Sequence, residues 1–207
     1  MALAEAKEST NKTPSNDGSV PDSAPGASNS LEARIGALEE QLEDIKLDLA
    51  EDMLTIGVIS GDLDRIIAAF VIALGAAAYD MEVNMFFTFW GTAALRDPKK
   101  KAKKKFMEKM FGWMMPKGSK KLPLSNMNMA GVGPKMIRSL MKKHGVTSLE
   151  DMMKEAGELG VKIYICEMSM ELMGFKRKEM IDYPNLEYCG VGTYMGLASQ
   201  SKQSFFL

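Results

Sequence analysis

The sequence predicts an α/β domain built on a mainly parallel, open sheet flanked by helices. Short, continuous apolar runs recur along the chain, and helical segments separate them. Strands that are apolar on both faces are typical of parallel sheets, because helices cover both sides. The composition also changes near residue 30, which separates an N-terminal region from this domain.

The N-terminal region divides into two parts. Residues 1–29 are rich in small and polar residues, cannot bury enough apolar surface to offset their ordering entropy, and are predicted to be a disordered tail. Residues 30–51 are predicted to form a helix, with Asn29 as its start signal. Its apolar residues are spaced alternately four and three residues apart, which is typical of a coiled coil that holds subunits together. The alternative is an amphipathic helix that packs on its own domain. These apolar residues are Leu31, Ile35, Leu38, Leu42, Ile45 and Leu49.

The α/β domain is predicted to span residues 53–207. We expect strands at 54–59, 83–90, 161–165, 186–189 and, as a last edge strand, 204–207. Helices are expected at 63–79, 106–115, 134–144 and 149–159, with Asp62 and Ser148 as caps of the first and last of these. The uncharged run 66–79 falls short of the ~20 residues that span a bilayer, so a buried helix is favoured over membrane insertion.

The composition narrows the possible functions. The chain has 207 residues, a net charge of −1, one histidine and two cysteines. The near-neutral charge gives no indication of nucleic-acid binding, and two cysteines make no disulfide framework. Because the N-terminus lacks an apolar signal segment, a cytoplasmic protein is expected. The lysine-rich run 99–105 is interpreted as a solvated linker, with an anionic partner as the alternative.

The ends of the predicted strands indicate a site. Sites in open α/β sheets form at the carboxyl ends of the strands. Cys166 follows one apolar run and precedes a helical segment, so its sulfur is expected near unpaired helix N–H groups that favour a thiolate. A nucleophile, an inert buried cysteine and a metal ligand are the three interpretations. No CxxC or HxxxH spacing accompanies Cys166, Cys189 or His144, so no metal is expected.

Four segments resemble the DsrE/DsrF/DsrH-like sulfur-relay family, in its peroxiredoxin-like branch. They are residues 86–91, 124–136, 166–174 and 190–194, and the resemblance covers residues 53–207. It implies a soluble α/β fold, a homo-oligomer, no cofactor, and a persulfide on Cys166. It also implies sulfur donor and acceptor proteins of the TusA or rhodanese type. Many relatives have another residue at the position of Cys189, so its role stays open.

The predicted function is a sulfur carrier or sulfurtransferase that holds sulfane sulfur on Cys166. The predicted pocket comprises Ser60, Gly61, Gly91, Thr92, Ser169, Gly190 and Gly192, and Gly91 and Gly190 are expected to leave room for the donor. A lid is predicted in the loop 122–133, with Ser125, Asn126, Met127, Asn128, Gly131 and Gly133. The alternatives are a two-thiol redox protein that uses Cys166 and Cys189, and a non-catalytic oligomeric scaffold. Binding to nucleic acid or a membrane is not expected.

Overall fold

The computed structural model describes residues 26–48, 51–103 and 106–207. The chain forms two units, Met1–Leu49 and Ala50–Leu207. Most of the predicted disordered tail, residues 1–25, lies outside the described residues. Residues 26–29, which the composition also assigns to that tail, are helical.

The first unit contains helix α1, Gly26–Asp48. It starts at Gly26 rather than near Asn29, directly after Pro25 in the sequence, and proline is tolerated at a helix start but not in its interior. Leu31, Ile35, Leu38 and Leu42 are each between 47% and 63% exposed. The side chain of Ile45, and Leu49 as a whole, lie outside the described residues. The described apolar seam is therefore exposed to solvent in this single chain.

The second unit is the predicted α/β domain. Its strands are β1 (Glu51–Val58), β2 (Glu82–Phe87), β3 (Lys162–Cys166), β4 (Leu186–Cys189) and β5 (Ser201–Phe206). Its α-helices are α2 (Leu63–Ala77), α3 (Phe106–Met114), α4 (Val132–Lys143), α5 (Leu149–Glu158), α6 (Glu167–Leu172) and α7 (Val191–Gln200). Within the described residues, five parallel strands form one sheet in the order β4-β3-β2-β1-β5. The predicted parallel α/β fold is confirmed.

The strands are apolar on both faces because each face is covered. One face carries Ile56, Val58, Phe87 and Ile165, which belong to the large core that also contains residues of α2 and α5. The opposite face carries a smaller cluster of Phe86, Tyr164 and Cys166, against which residues of α7 pack. This second, smaller cluster places the predicted functional cysteine under α7.

The second predicted strand, 83–90, is shorter than expected. β2 ends at Phe87, and Phe89–Leu95 forms a 3₁₀ helix. The Thr88 N–H donates to the Val58 carbonyl (3.0 Å), and the Gly91 N–H donates to the Ile59 carbonyl (2.9 Å). These bonds turn the chain over the end of β1, an arrangement that apolar periodicity alone does not predict.

Other elements agree with the sequence within a few residues. The last strand begins at Ser201 rather than 204, where the hydroxyls of Ser201 and Thr55 share a hydrogen bond of 2.8 Å. Asp62 precedes α2 as predicted, but its carboxylate accepts from the Ser60 hydroxyl instead of capping the helix. Among the described helices, none combines the length and the apolar character needed to cross a bilayer.

Candidate functional site

Cys166 is the last residue of β3 and the N-cap of α6. The strand ends here because the following segment, Glu167–Leu172, is helical, with Glu167 in a first turn that favours acidic residues. Cys166 is 2% exposed and packs with Phe86 and Tyr164. The predicted strand–cysteine–helix junction is present, with its sulfur in an apolar cluster rather than at the open surface.

Cys189 lies directly beside Cys166. The two cysteines are register partners at the carboxyl ends of the neighbouring strands β3 and β4, so their side chains leave the same face of the sheet. Cys189 is half-buried and packs against the cluster that contains Cys166. Burial raises the pKa of the Cys189 thiol, a hydrogen bond with Thr193 opposes this, and the charges of Cys166 and Glu187 raise it further. Strand order therefore brings together the only two thiols of the chain.

Ser169 of the predicted pocket lies one turn into α6 and is fully buried. Its hydroxyl shares a hydrogen bond of 2.7 Å with the hydroxyl of Thr88. Thr88 follows Phe87, the register partner of Ile165, and is therefore level with Cys166. The pair ties the start of α6 to the end of β2, and so holds the backbone around Cys166 on the side opposite Cys189.

Gly190 and Gly192 of the predicted pocket flank the start of α7. Gly190 is the N-cap of that helix. No described atom lies within 4 Å of the position that a Cβ would take at Gly190 or Gly192, apart from the chain neighbours of each glycine and, for Gly192, the backbone of its own helix. Both glycines are exposed and follow Cys189 closely in the chain.

The remaining predicted pocket residues, Ser60, Gly61, Gly91 and Thr92, lie at the ends of β1 and β2. A Cβ at Gly91 would lie 2.5 Å from the Val58 carbonyl oxygen, and a Cβ at Gly61 would lie 2.8 Å from that of Trp90. Thr92 is buried, and its hydroxyl has no hydrogen-bond partner among the described residues. The space that was expected to receive a donor beside Gly91 is filled by backbone, because the chain turns tightly there.

The predicted lid, 122–133, is tied to the start of α2. The Leu63 N–H donates to the Pro123 carbonyl (2.7 Å), and the Ser125 N–H and hydroxyl donate to the Asp64 carboxylate (2.9 and 2.6 Å). Burial of Asp64 raises its pKa, but the hydrogen bonds from Ser125 outweigh this and lower it overall.

Within the lid segment, backbone dihedrals are unusual. The backbone φ angles of Met127, Met129 and Ala130 are positive, at 57°, 43° and 54°, in a region that residues other than glycine rarely adopt. Gly131 continues the turn with φ 88°, and a Cβ at Gly133 would lie 2.1 Å from the Met127 carbonyl oxygen. Asn128 closes the segment, since its carbonyl accepts from the N–H groups of Gly131 and Gly133. Asn126 is exposed, with its amide donating to the Ser125 hydroxyl (3.3 Å).

Sequence reasoning missed several residues that surround the thiols. The Phe86 ring stacks on Tyr194 of α7 with centroids 5.1 Å apart, and Tyr194 meets Phe206 edge-on at 5.9 Å. A Cβ at Gly57 would lie 2.2 Å from the Phe206 ring. A glycine inside the apolar run 54–59 was the available signal, because such a glycine often marks close approach of another group.

The carboxylate next to Cys166 is paired. Glu167, next to Cys166, forms an ion pair with Arg177, and the Arg177 guanidinium lies over the Tyr188 ring, 4.6 Å from its centroid. The partner cation sits beyond α6, in the segment that precedes β4.

The lysine-rich run belongs to another part of the domain. Lys100, Lys101 and Lys103 line a cavity of about 930 Å³ together with Arg96 and the aromatic residues Phe106 and Trp113. Lys104 and Lys105 lie outside the described residues. Lys100 also donates to the Asp182 carboxylate at 2.6 Å, so part of the run is anchored to the domain.

The sequence of the α/β domain is similar to those of known proteins. The sequence profile of the DsrE/DsrF/DrsH-like family matches residues 50–206. The Bacillus subtilis protein YrkE, named as uncharacterized, is 49% identical over 154 residues, which cover 74% of this chain and 95% of YrkE. "Sulfur carrier protein DsrE2" of Allochromatium vinosum is 32% identical over 161 residues, which cover 74% of this chain and 96% of that protein.

Proposed function

Because the chain belongs to the DsrE/DsrF/DrsH-like family, we propose that it acts in sulfur relay, as a carrier that holds sulfane sulfur on Cys166. Support comes first from the position of Cys166 at the carboxyl end of β3, where sites form in parallel sheets. A relative that covers most of this chain and is named a sulfur carrier gives further support.

The proposed reaction consists of two transfers. In the first, the Cys166 thiolate attacks the terminal sulfur of a donor persulfide, an S–S bond forms at Sγ, and the donor leaves as a thiolate. In the second, an acceptor thiolate attacks the outer sulfur of the Cys166 persulfide and releases the Cys166 thiolate. Each step exchanges one S–S bond for another, so neither an external oxidant nor a cofactor is required.

The surroundings of Cys166 suit this chemistry. Phe86 and Tyr164 exclude water from a sulfur held there, and Cys166 is the N-cap of α6, a helix whose first backbone N–H groups have no partner within the helix. The buried Thr88–Ser169 hydrogen bond keeps that helix start in place. We propose donor and acceptor proteins of the TusA or rhodanese type, a cytoplasmic location and a homo-oligomer, as the family resemblance implies.

Intact-mass and peptide mass spectrometry after long incubation with sodium tetrasulfide would test this function. Cys166 should gain about 32 Da per sulfur. The Cys166→Ser protein should carry no sulfur at that position, whereas Cys189→Ser should still reach the same final loading on Cys166. A wild-type protein that never carries sulfur on Cys166, while remaining folded by circular dichroism, would contradict the proposal.

A two-thiol redox function is the second candidate, and the register of Cys166 with Cys189 favours it. It requires a reversible disulfide between the two strands. Disulfides form between residues whose Cα atoms lie about 4.4–6.8 Å apart, and the spacing of about 4.8 Å between neighbouring strands falls within this range. Treatment with a mild disulfide oxidant followed by mass spectrometry distinguishes the two functions. Quantitative formation of a dithiothreitol-sensitive Cys166–Cys189 disulfide supports the redox function, and its absence supports the carrier function.

A further inference from the structure

The two thiols differ in access to solvent. Cys166 is 2% exposed and lies on β3, the second strand of the sheet. Cys189 is half-buried and lies on β4, the edge strand, and the residues Gly190 and Gly192 that follow it are exposed. Formation of an S–S bond brings two sulfur atoms to about 2.05 Å, so a donor must touch the sulfur that it loads. The geometry offers that contact at Cys189.

The spacing of the pair suits the passage of a sulfur atom between them. A thiolate attacks a persulfide along the line of the breaking bond, so the moving sulfur lies between the two Sγ atoms. Two S–S bonds in line span roughly 4.1 Å, and partial bonds are longer. The backbones of Cys166 and Cys189 are register partners on strands about 4.8 Å apart, and their side chains leave the same face of the sheet, so the two sulfur atoms can approach within such a distance.

We propose that Cys189 is the exchange thiol through which sulfane sulfur reaches and leaves the buried Cys166. This inference rests on the proposed carrier function. The Cys189 thiolate takes the terminal sulfur of an external persulfide, and the external thiolate leaves. The Cys166 thiolate then attacks the outer sulfur of the Cys189 persulfide, the S–S bond to Cys189 breaks, and Cys189 is released as a thiolate. The reverse steps deliver the sulfur to an acceptor thiol.

The division of roles follows from the two environments. Sulfur on Cys166 lies among Phe86 and Tyr164, away from water and from dissolved thiols that would remove it. Sulfur on Cys189 borders the exposed residue Thr193, whose side chain hydrogen-bonds the thiol, and the two glycines near it in the chain are exposed as well. In this proposal, Cys166 on β3 stores the sulfur and Cys189 on the neighbouring strand β4 exchanges it with other molecules.

The test follows sulfur loading over time in the full-length chain. Reduced protein is mixed with glutathione persulfide, quenched at intervals with iodoacetamide, and analysed by peptide mass spectrometry at each cysteine. In the wild type, the Cys189 persulfide should appear first and decline as the Cys166 persulfide grows. In Cys189→Ser and in Cys189→Ala, the initial rate of Cys166 loading should fall about tenfold or more, since an intramolecular step is lost. In Cys166→Ser, Cys189 should load at the wild-type rate and retain its sulfur.

Two results would overturn the inference. One is an unchanged initial rate of Cys166 loading in both folded Cys189 variants, and the other is a wild-type time course in which Cys166 is loaded before Cys189. The wild-type time course decides even if a variant does not fold. Failure of the carrier function itself looks different, because Cys166 would then remain unloaded in the wild type at all times.

Discussion

Replacing Arg96 with methionine should destabilise the α/β domain strongly. Arg96 is 4% exposed, and its guanidinium lies 3.7 Å from the Glu179 carboxylate and 4.5 Å over the Phe175 ring. The same group donates to the carbonyls of Gly112 (3.3 Å) and Pro116 (3.1 Å). It therefore joins the segment after β2, the end of α3 and the segment after α6. Burial lowers the pKa of Arg96, and Glu179 opposes this.

The magnitude follows from what methionine leaves behind. Methionine fills much of the volume but leaves the Glu179 carboxylate, 6% exposed, without this cation. Breaking a buried ion pair from one side costs about 3–5 kcal/mol. For a chain of this size, each kcal/mol lowers Tm by about 2–4 °C, so a decrease of roughly 6–20 °C is expected.

Urea unfolding followed by circular dichroism measures this free energy of unfolding. Lys154→Met is the matched control, because the Lys154–Glu158 pair is exposed (3.5 Å) and should contribute only about 0.3–0.5 kcal/mol. The double variant Arg96→Met/Glu179→Met should be more stable than Arg96→Met alone, since it also removes the buried carboxylate that has lost the Arg96 cation. A loss below about 1 kcal/mol in Arg96→Met, or strictly additive effects in the double variant, would refute this reasoning.

Three further predictions concern the site and α1. Gly57→Ala should displace the Phe206 ring, lower the free energy of unfolding by about 1–3 kcal/mol and speed alkylation of Cys166. The matched control Gly75→Ala, which has open space around its Cβ position in α2, should not destabilise the protein. Differential scanning calorimetry and iodoacetamide kinetics measure these two properties, and equal effects of the two substitutions would contradict the packing argument. In Cys166→Ser, the alkylation rate of Cys189 should rise with pH, and the midpoint of the rise should lie above the ordinary thiol pKa of about 8.5, because burial raises the pKa of Cys189 and the neutral thiol prevails at neutral pH. In urea, the midpoint should return to the ordinary value. A midpoint at or below the ordinary value in the folded protein would count against this prediction. Leu38→Glu on the exposed seam of α1 should lower the mass measured by light scattering, whereas Glu40→Gln should not; an unchanged mass in Leu38→Glu would show that α1 does not drive association.

Local pattern was enough to predict much of the fold. The apolar runs around Ile56, Met85 and Ile163 indicated parallel strands because only strands covered on both faces are continuously apolar. The change from such a run to helix-forming residues placed Cys166 at a strand–helix junction, as the structure has it. The heptad-like spacing of Leu31 to Leu42 likewise indicated a helix, because the period of a helix is a property of neighbouring residues.

The arrangement of the site depended on the tertiary structure. Whether Cys166 and Cys189 meet is decided by strand order, which crossover connections and long-range packing determine and which no local pattern encodes. The same holds for the hydrogen bond between Thr88 and Ser169, which joins residues far apart in the chain. A glycine in a sequence indicates that another group can come close to the backbone, but it does not identify that group. Gly91 was therefore expected to border open space, whereas the Val58 carbonyl oxygen lies where its Cβ would be.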